Sequence, residues 1–158
     1  MSLRLVERKD IDMLLRWRNR DDARVWFKHS DVIPRADHLR WFEDYLERDD
    51  DFMFVAECSG IAVAQAAVYR VEPVRRQAEI GRFLAAPGMS GQGYVAKACA
   101  ALLEWCARDL GLQYVYLDVK SENARAIHVY SRAGFLEESR SAGMVRMGLA
   151  LRKPAGTV

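Results

Sequence analysis

Little in this chain ties it to an extracellular, membrane or nucleic-acid-coating role. Its 158 residues hold three cysteines, Cys58, Cys99 and Cys106, with neither Cys-x-x-Cys spacing nor a nearby histidine. A disulfide frame and a zinc site are therefore disfavoured, and reduced thiols, a cytoplasmic setting and no metal are expected. No apolar run approaches the roughly 20 residues of a membrane-crossing helix, and the N-terminus is charged and amphipathic rather than signal-like. No membrane partner is expected. Charge of one sign is also missing: 24 basic and 22 acidic residues are well mixed and leave a net +2. That balance argues against a nucleic-acid surface. Proline is scarce and no linker-like or low-complexity stretch divides the chain, so residues 1–158 are expected to form one domain. What is plentiful is apolar side chain, 51% of the residues, which suffices for a core without covalent staples.

Periodicity switches repeatedly along the chain. Leu3 to Val6 reads as a short strand, and Asp10 caps a helix carrying Ile11, Leu14 and Leu15 on one face. Leu39, Phe42, Tyr45 and Leu46 mark a second helix between Pro34 and the acidic run Asp49-Asp50-Asp51. Phe52 to Glu57 and Ile61 to Val71, separated by Cys58-Ser59-Gly60, form a hairpin, and Gln77 to Leu84 follows the turn Glu72-Pro73 as a further strand. Strand alternation there puts Glu79, Gly81 and Phe83 on one face and Ile80 and Arg82 on the other. Val95, Cys99, Leu102, Leu103 and Cys106 stripe a helix from Tyr94 to Leu110, stopped by Gly111. Leu112 to Val119 is a strand, Asn123 to Arg132 a helix ended by Gly134, and Phe135 to Glu138 and Met144 to Leu151 are closing strands. The order β-α-α-β-β-β-α-β-α-β-β implies an α/β fold, a mixed central sheet with helices on its faces.

Two segments carry chemistry. Gly88-Met89-Ser90-Gly91-Gln92-Gly93-Tyr94-Val95 joins a strand to a helix, where glycines leave backbone N-H groups accessible and the helix start adds its positive dipole end. That suits an anion such as a pyrophosphate; a plain connecting loop would need no more than the same glycines. Farther on, Asn123 caps a helix, and Tyr130 lies seven residues later, about two turns along the same face. Tyr130 suits either packing beside the sheet or proton donation from a dry site.

The ordered pair, with Asn123 to Tyr130 running into Ser131-Arg132-Ala133-Gly134-Phe135, resembles the two hallmarks of the GNAT N-acetyltransferases. The resemblance implies a GNAT fold and acetyl-CoA as cosubstrate. It implies that CoA is held by the strand end Phe83, Leu84 and Ala85, by Ser90, Gly91, Gln92, Gly93, Tyr94, Val95 and Ala96, and by Asn123 and Tyr130. Two positions depart from the family's turn: Ser90 stands in place of a basic or amide residue and Val95 in place of a small one. The amides of Gln92 to Ala96 remain as donors, since such a cradle is main chain. Tyr130 matches the tyrosine that protonates the departing thiolate. Glu79 is at the register where many members carry the glutamate that takes the amine proton, directly or through water. His38 and His128 are further candidates for the base, since imidazole titrates near neutral pH. A charge at a solvated strand end is the other reading of Glu79, and a surface position the other reading of His128.

On the acceptor side, Leu15-Arg16-Trp17-Arg18-Asn19, Ala23-Arg24-Val25-Trp26 and His38-Leu39-Arg40-Trp41-Phe42 look like the N-terminal half of GNAT members that acetylate nucleotide-linked 4-amino-sugars. The segment after Phe135 is shorter than theirs. This likeness implies that Arg18 and Arg24 meet phosphates, that Trp17, Trp26 or Trp41 stacks on a sugar or base, and that His38 and Trp41 join Arg18 and Arg24 in the acceptor wall. Each also has a plain core or surface reading. The expected activity is transfer of an acetyl group to the primary amine of a small molecule. The alternatives are a protein or peptide N-terminal acetyltransferase of the ribosomal-protein type and a non-catalytic CoA-binding module. A homodimer stays open.

Overall fold

Apolar stripes at helical spacing become two helical layers, one on each face of a seven-stranded sheet. The computed structural model describes residues 1–153 and Gly156. Strand β1 (Ser2–Leu5) leads through a 3-10 turn at Arg8–Asp10 into α1 (Ile11–Arg18), α2 (Asp21–Arg24) and α3 (Arg35–Leu46). The strands β2 (Phe52–Cys58), β3 (Ile61–Glu72) and β4 (Gln77–Ala85) follow, then α4 (Tyr94–Arg108), β5 (Tyr114–Lys120), α5 (Ala124–Arg132), β6 (Leu136–Ser141) and β7 (Met144–Ala150). The extra element is α2, a single turn begun by Asp21 and Asp22, too short to show a periodic apolar stripe. Strand β5 starts at Tyr114 rather than Leu112, because the Leu112 amide turns back to donate to the Cys106 carbonyl at 3.0 Å while Gly111 takes φ +63°. The helix needs that bond to satisfy its last carbonyls.

The sheet runs β1-β2-β3-β4-β5-β7-β6, and each neighbouring pair is antiparallel except β4 with β5. Ile11, Leu14 and Trp17 of α1 pack with Phe42 and Tyr45 of α3 against Met53, Val55 and Ala67 on one face. Cys99, Leu102 and Cys106 of α4 pack with Tyr130 of α5 against Ala66, Val68, Ile80 and Leu117 on the other. Leu102 is fully buried there, so truncation to alanine would cost about 2–5 kcal/mol. Burial also pushes the Cys99 and Cys106 thiols up to about 12, which keeps both protonated at neutral pH.

Two irregularities shape the site. The parallel pairing of β4 with β5 spans Gln77↔Tyr114, Ala78↔Val115 and Glu79↔Tyr116. Beyond Glu79 a cavity lies between the strands, lined by Ile80 to Ala85 on one side and Leu117 to Val119 on the other. Second, the register of β3 against β4 shifts between Ala67↔Gly81 and Gln65↔Leu84, and Arg82 takes φ +55°. This bulge breaks the expected alternation. Arg82 lies over Tyr69 at 4.3 Å, on the face of Glu79 and Gly81, while Phe83 turns to the face of Ile80 and packs on Tyr130 at 5.7 Å. One extra residue in a strand moves every later side chain to the opposite face. The buried Gln65 side chain pins the bulge by donating to the Arg82 carbonyl at 2.9 Å.

Candidate active site

The turn before α4 has a backbone that glycine favours. Gly91 and Gly93 sit at φ +78° and +80°, and a Cβ at Gly93 would meet nothing within 4 Å, so that position faces open space. Gly93 is the N-cap of α4 and offers no side-chain cap. The first amides of the helix, Tyr94, Val95 and Ala96, have no carbonyl one turn back to bond; the Lys97 amide is the first that does, to Gly93 at 3.1 Å. Free donors and the helix's positive end thus meet at one place. Across from the turn, Arg125 brings its guanidinium to within 3.2 Å of where a Gly91 Cβ would stand. Asn123 accepts from the Ala126 amide at 3.2 Å, and the helix it caps carries Tyr130 two turns on.

Turn, α5 and strand ends enclose a cavity of about 910 Å³. It is lined by Phe83, Leu84, Ala85, Ser90, Gly91, Gly93, Tyr94, Val95 and Ala96, and also by Asn123, Tyr130 and Glu79. Gln92 is outside the lining and its side chain donates to the Gly88 carbonyl at 2.9 Å. Tyr130 is 8% exposed, wedged against Phe83 and Phe135, and burial raises its pKa, so it stays a phenol that can donate a proton.

Glu79 is buried, not at a solvated strand end. One oxygen accepts from the Tyr69 hydroxyl at 3.2 Å and the other from the Arg70 guanidinium at 2.7 Å. Consecutive residues reach one carboxylate because Arg70 takes φ +51° at a second register shift. Gly81 makes room for this arrangement: a Cβ there would fall 2.5 Å from the Tyr69 hydroxyl. Desolvation first, and the Glu79 charge second, raise the Tyr69 pKa.

The expected acceptor wall divides. Arg18 lines the cavity, with its guanidinium over the Phe27 ring at 4.2 Å and a bond to the His29 carbonyl. Arg24 is outside the lining: it pairs with Asp21 at 3.0 Å and donates to the Ser30 carbonyl at 2.8 Å, bracing the loop after α2. His38 and Trp41 are also outside the lining. They stack on each other at 5.3 Å, and Trp41 continues onto Tyr45, so the aromatic stripe of α3 packs with itself and the sheet. Burial lowers the His38 pKa. Trp17 is core, whereas Trp26, at 44% exposed, and the exposed His128 line the cavity. Sequence reading passed over Tyr69, Arg70, Arg125 and Asp118. Arg125 carried a signal, a cation in the first turn of the helix that Asn123 caps; the Tyr69 and Arg70 pairing had none, since it depends on a bulge. Asp118 lines the cavity and is held by Arg146 through bonds of 2.9 Å, which keep its carboxyl below the usual range. Among the described residues no group of His, Cys, Asp or Glu could hold a metal ion, and no helix is long and apolar enough to cross a membrane.

A family model for the acetyltransferase (GNAT) domain matches residues 1–136. The chain belongs to the GNAT acetyltransferase family. It is therefore an acyltransferase that moves acetyl groups from acetyl-CoA to amines. The open volume, the free amides at α4 and the Arg125 cation fit that cosubstrate. The chain is 26% identical over 140 residues to the spermidine N(1)-acetyltransferase of Escherichia coli K12, covering 87% of this chain and 74% of the relative. It is 25% identical over 149 residues to the aminoglycoside N(6')-acetyltransferase type 1 of Klebsiella pneumoniae, covering 85% and 73%. In structure it is similar to the spermidine N-acetyltransferase of Vibrio cholerae in complex with CoA and spermine, with a TM-score of 0.85 at 21% identity over 95% of both chains. These likenesses support the fold expected from the sequence; none of these relatives is an acetyltransferase of nucleotide-linked amino-sugars.

Proposed function

We propose that the chain acetylates the primary amine of a small molecule by direct attack of the amine on the thioester, with the reaction centred between Tyr130 and Glu79. The observation that carries this reading is that one cavity holds the α4 amides, the Tyr130 phenol and the Glu79 carboxylate together. The amides of Gly91 to Ala96, with Arg125, hold the pyrophosphate of the cosubstrate. Attack forms the C-N bond and breaks the C-S bond. The departing sulfur takes the Tyr130 proton, and the amine's surplus proton passes to Glu79 directly or through water. Proton transfer of this kind contributes about 10²- to 10⁴-fold when the donor is positioned and dry. Arg70 and Tyr69 hold Glu79 in place, and Gly81 leaves the space that lets them.

Thiol release from acetyl-CoA tests the reading, with small primary amines, a nucleotide-linked 4-amino-sugar and peptides beginning with a free α-amine as acceptors. Release with small amines and not with peptides is the expected result, and the nucleotide-linked amino-sugar is the member that the N-terminal resemblance favours. Release with peptides alone would install the N-terminal acetyltransferase reading. CoA binding without release from any acceptor would leave a non-catalytic CoA-binding module.

A further inference from the structure

Where the α1–α2 corner lines the cavity, two arginines carry buried donors with no hydrogen-bond partner. Arg18 is 9% exposed, and its Nη1 is buried with no hydrogen-bond partner. Its other contacts are a neutral carbonyl and an aromatic ring, and among the described residues no carboxylate pairs with it. Two residues on, Arg20 donates to the Ala85 carbonyl at 3.1 Å while its buried Nε makes no hydrogen bond. Its carboxylate neighbour, Asp22, stands at 3.4 Å and is largely in solvent. Buried donors of a charged group are costly to leave unmet, and a guanidinium most of all. Both arginines line the cavity.

Three carboxylates line the cavity, and each already has a cationic neighbour. Glu79 is paired with Arg70 at 2.7 Å, Asp118 with Arg146 at 2.9 Å and Lys28 at 3.6 Å, and Asp22, mostly in solvent, with Arg20 at 3.4 Å. A polyamine carries several ammonium groups at neutral pH, and its spare ones would face guanidiniums and lining carboxylates that each already have a cationic neighbour. An acceptor with an oxygen anion at its far end meets the opposite situation, two preset N-H forks with donors to spare.

Resting on the acetyl-transfer reading above, we propose that the acceptor is an amine that also bears a carboxylate or phosphate group, bound by Arg18 and Arg20 at the α1–α2 corner. The pair selects for that group by charge and by geometry, so the amine end is left to point along the cavity toward Glu79 and Tyr130.

Matched pairs test this: glucosamine 6-phosphate against glucosamine, and 4-aminobutyrate against butylamine, with spermidine as a polycation. Two readings are taken on the intact enzyme, thiol release and calorimetric binding to the enzyme–CoA complex. The oxyanion member of one pair is expected to bind at least about tenfold more tightly than its plain counterpart, and the pair that shows the preference tells phosphate from carboxylate. Arg18→Gln and Arg20→Gln should each shrink the ratio, and Arg18→Lys should restore part of it. Equal binding within both pairs, or spermidine as the best ligand, overturns the proposal without any variant having to fold. A binding preference with no thiol released from any amine would keep the anion site and remove the acetyl-transfer reading. Transfer to amines with no preference would do the reverse.

Discussion

The two ends of the cavity are built from different materials. At the end we propose for the cosubstrate the donors are chiefly main chain, the amides at the start of α4, positioned by Gly91 and Gly93 at positive φ, with Arg125 beside them. At the end we propose for the acceptor the polar groups are side chains: Arg18, Arg20, Tyr69 and Glu79, each set by packing or by a bulge. A cradle built chiefly of main chain tolerates the departures Ser90 and Val95, because its amides remain and its side-chain cation, Arg125, comes from α5. A side-chain wall can be re-aimed by one substitution, so relatives of one fold can differ in acceptor while sharing the cosubstrate.

The largest expected effect falls where the ends meet. Tyr130→Phe removes one proton donor and leaves the packing on Phe83 and Phe135, so turnover should fall by about 10²-fold or more while CoA affinity holds. Single-turnover rates beside calorimetry check it, and an unchanged chemical step would return Tyr130 to a packing role. Next, Gly93→Leu should cost about 30-fold in CoA affinity, the effect of roughly 2 kcal/mol, because a side chain forced to φ +80° enters the open space before the amides. Acceptor affinity should be unmoved in a variant whose melting temperature shows it folded; a matching loss at both ends would blur the division.

Gly81→Ala sharpens the acceptor end. Its Cβ would displace the Tyr69 hydroxyl from 2.5 Å and with it the bond to Glu79, so kcat should fall by about tenfold and stability by about 1–3 kcal/mol. Normal kcat in that variant would show that Tyr69 does not position Glu79. Smallest of all, Arg24→Ala should change the acceptor KM by about threefold at most, since Arg24 braces the loop to Ser30 without lining the cavity. A tenfold rise would put its guanidinium on the acceptor after all.

What could be read in advance divides along the same line. Helices α1, α3, α4 and α5 were legible because an apolar stripe must recur at helical spacing to cover a sheet, and the turn before α4 because glycine is the residue that such a backbone demands. Arg70 and Arg82 were not legible as bulge residues: an arginine at positive φ leaves no mark in sequence, yet it decides which face Phe83 takes and what holds Glu79. Glu79 itself was placed in the correct strand with its surroundings unknown. His38 and Trp41 read equally well as acceptor wall or as core because aromatic residues on a helix serve either, and here the ring stack with Tyr45 occupies them. Tyr69 and Gly81 meet across β3 and β4 only once the register is known.

The contrast between a main-chain end and a side-chain end is tested most directly by following backbone amide resonances of the unaltered protein as acetyl-CoA is added. Hydrogen bonds from amides to phosphate oxygens shift those amides strongly. The largest shifts should fall on Gly91, Gly93, Tyr94, Val95 and Ala96, with smaller ones along Phe83 to Ala85 and near Arg125, while the Arg18 to Ala23 corner moves little. Shifts concentrated at that corner, with the start of α4 unmoved, would contradict the cradle and the division of the cavity built on it.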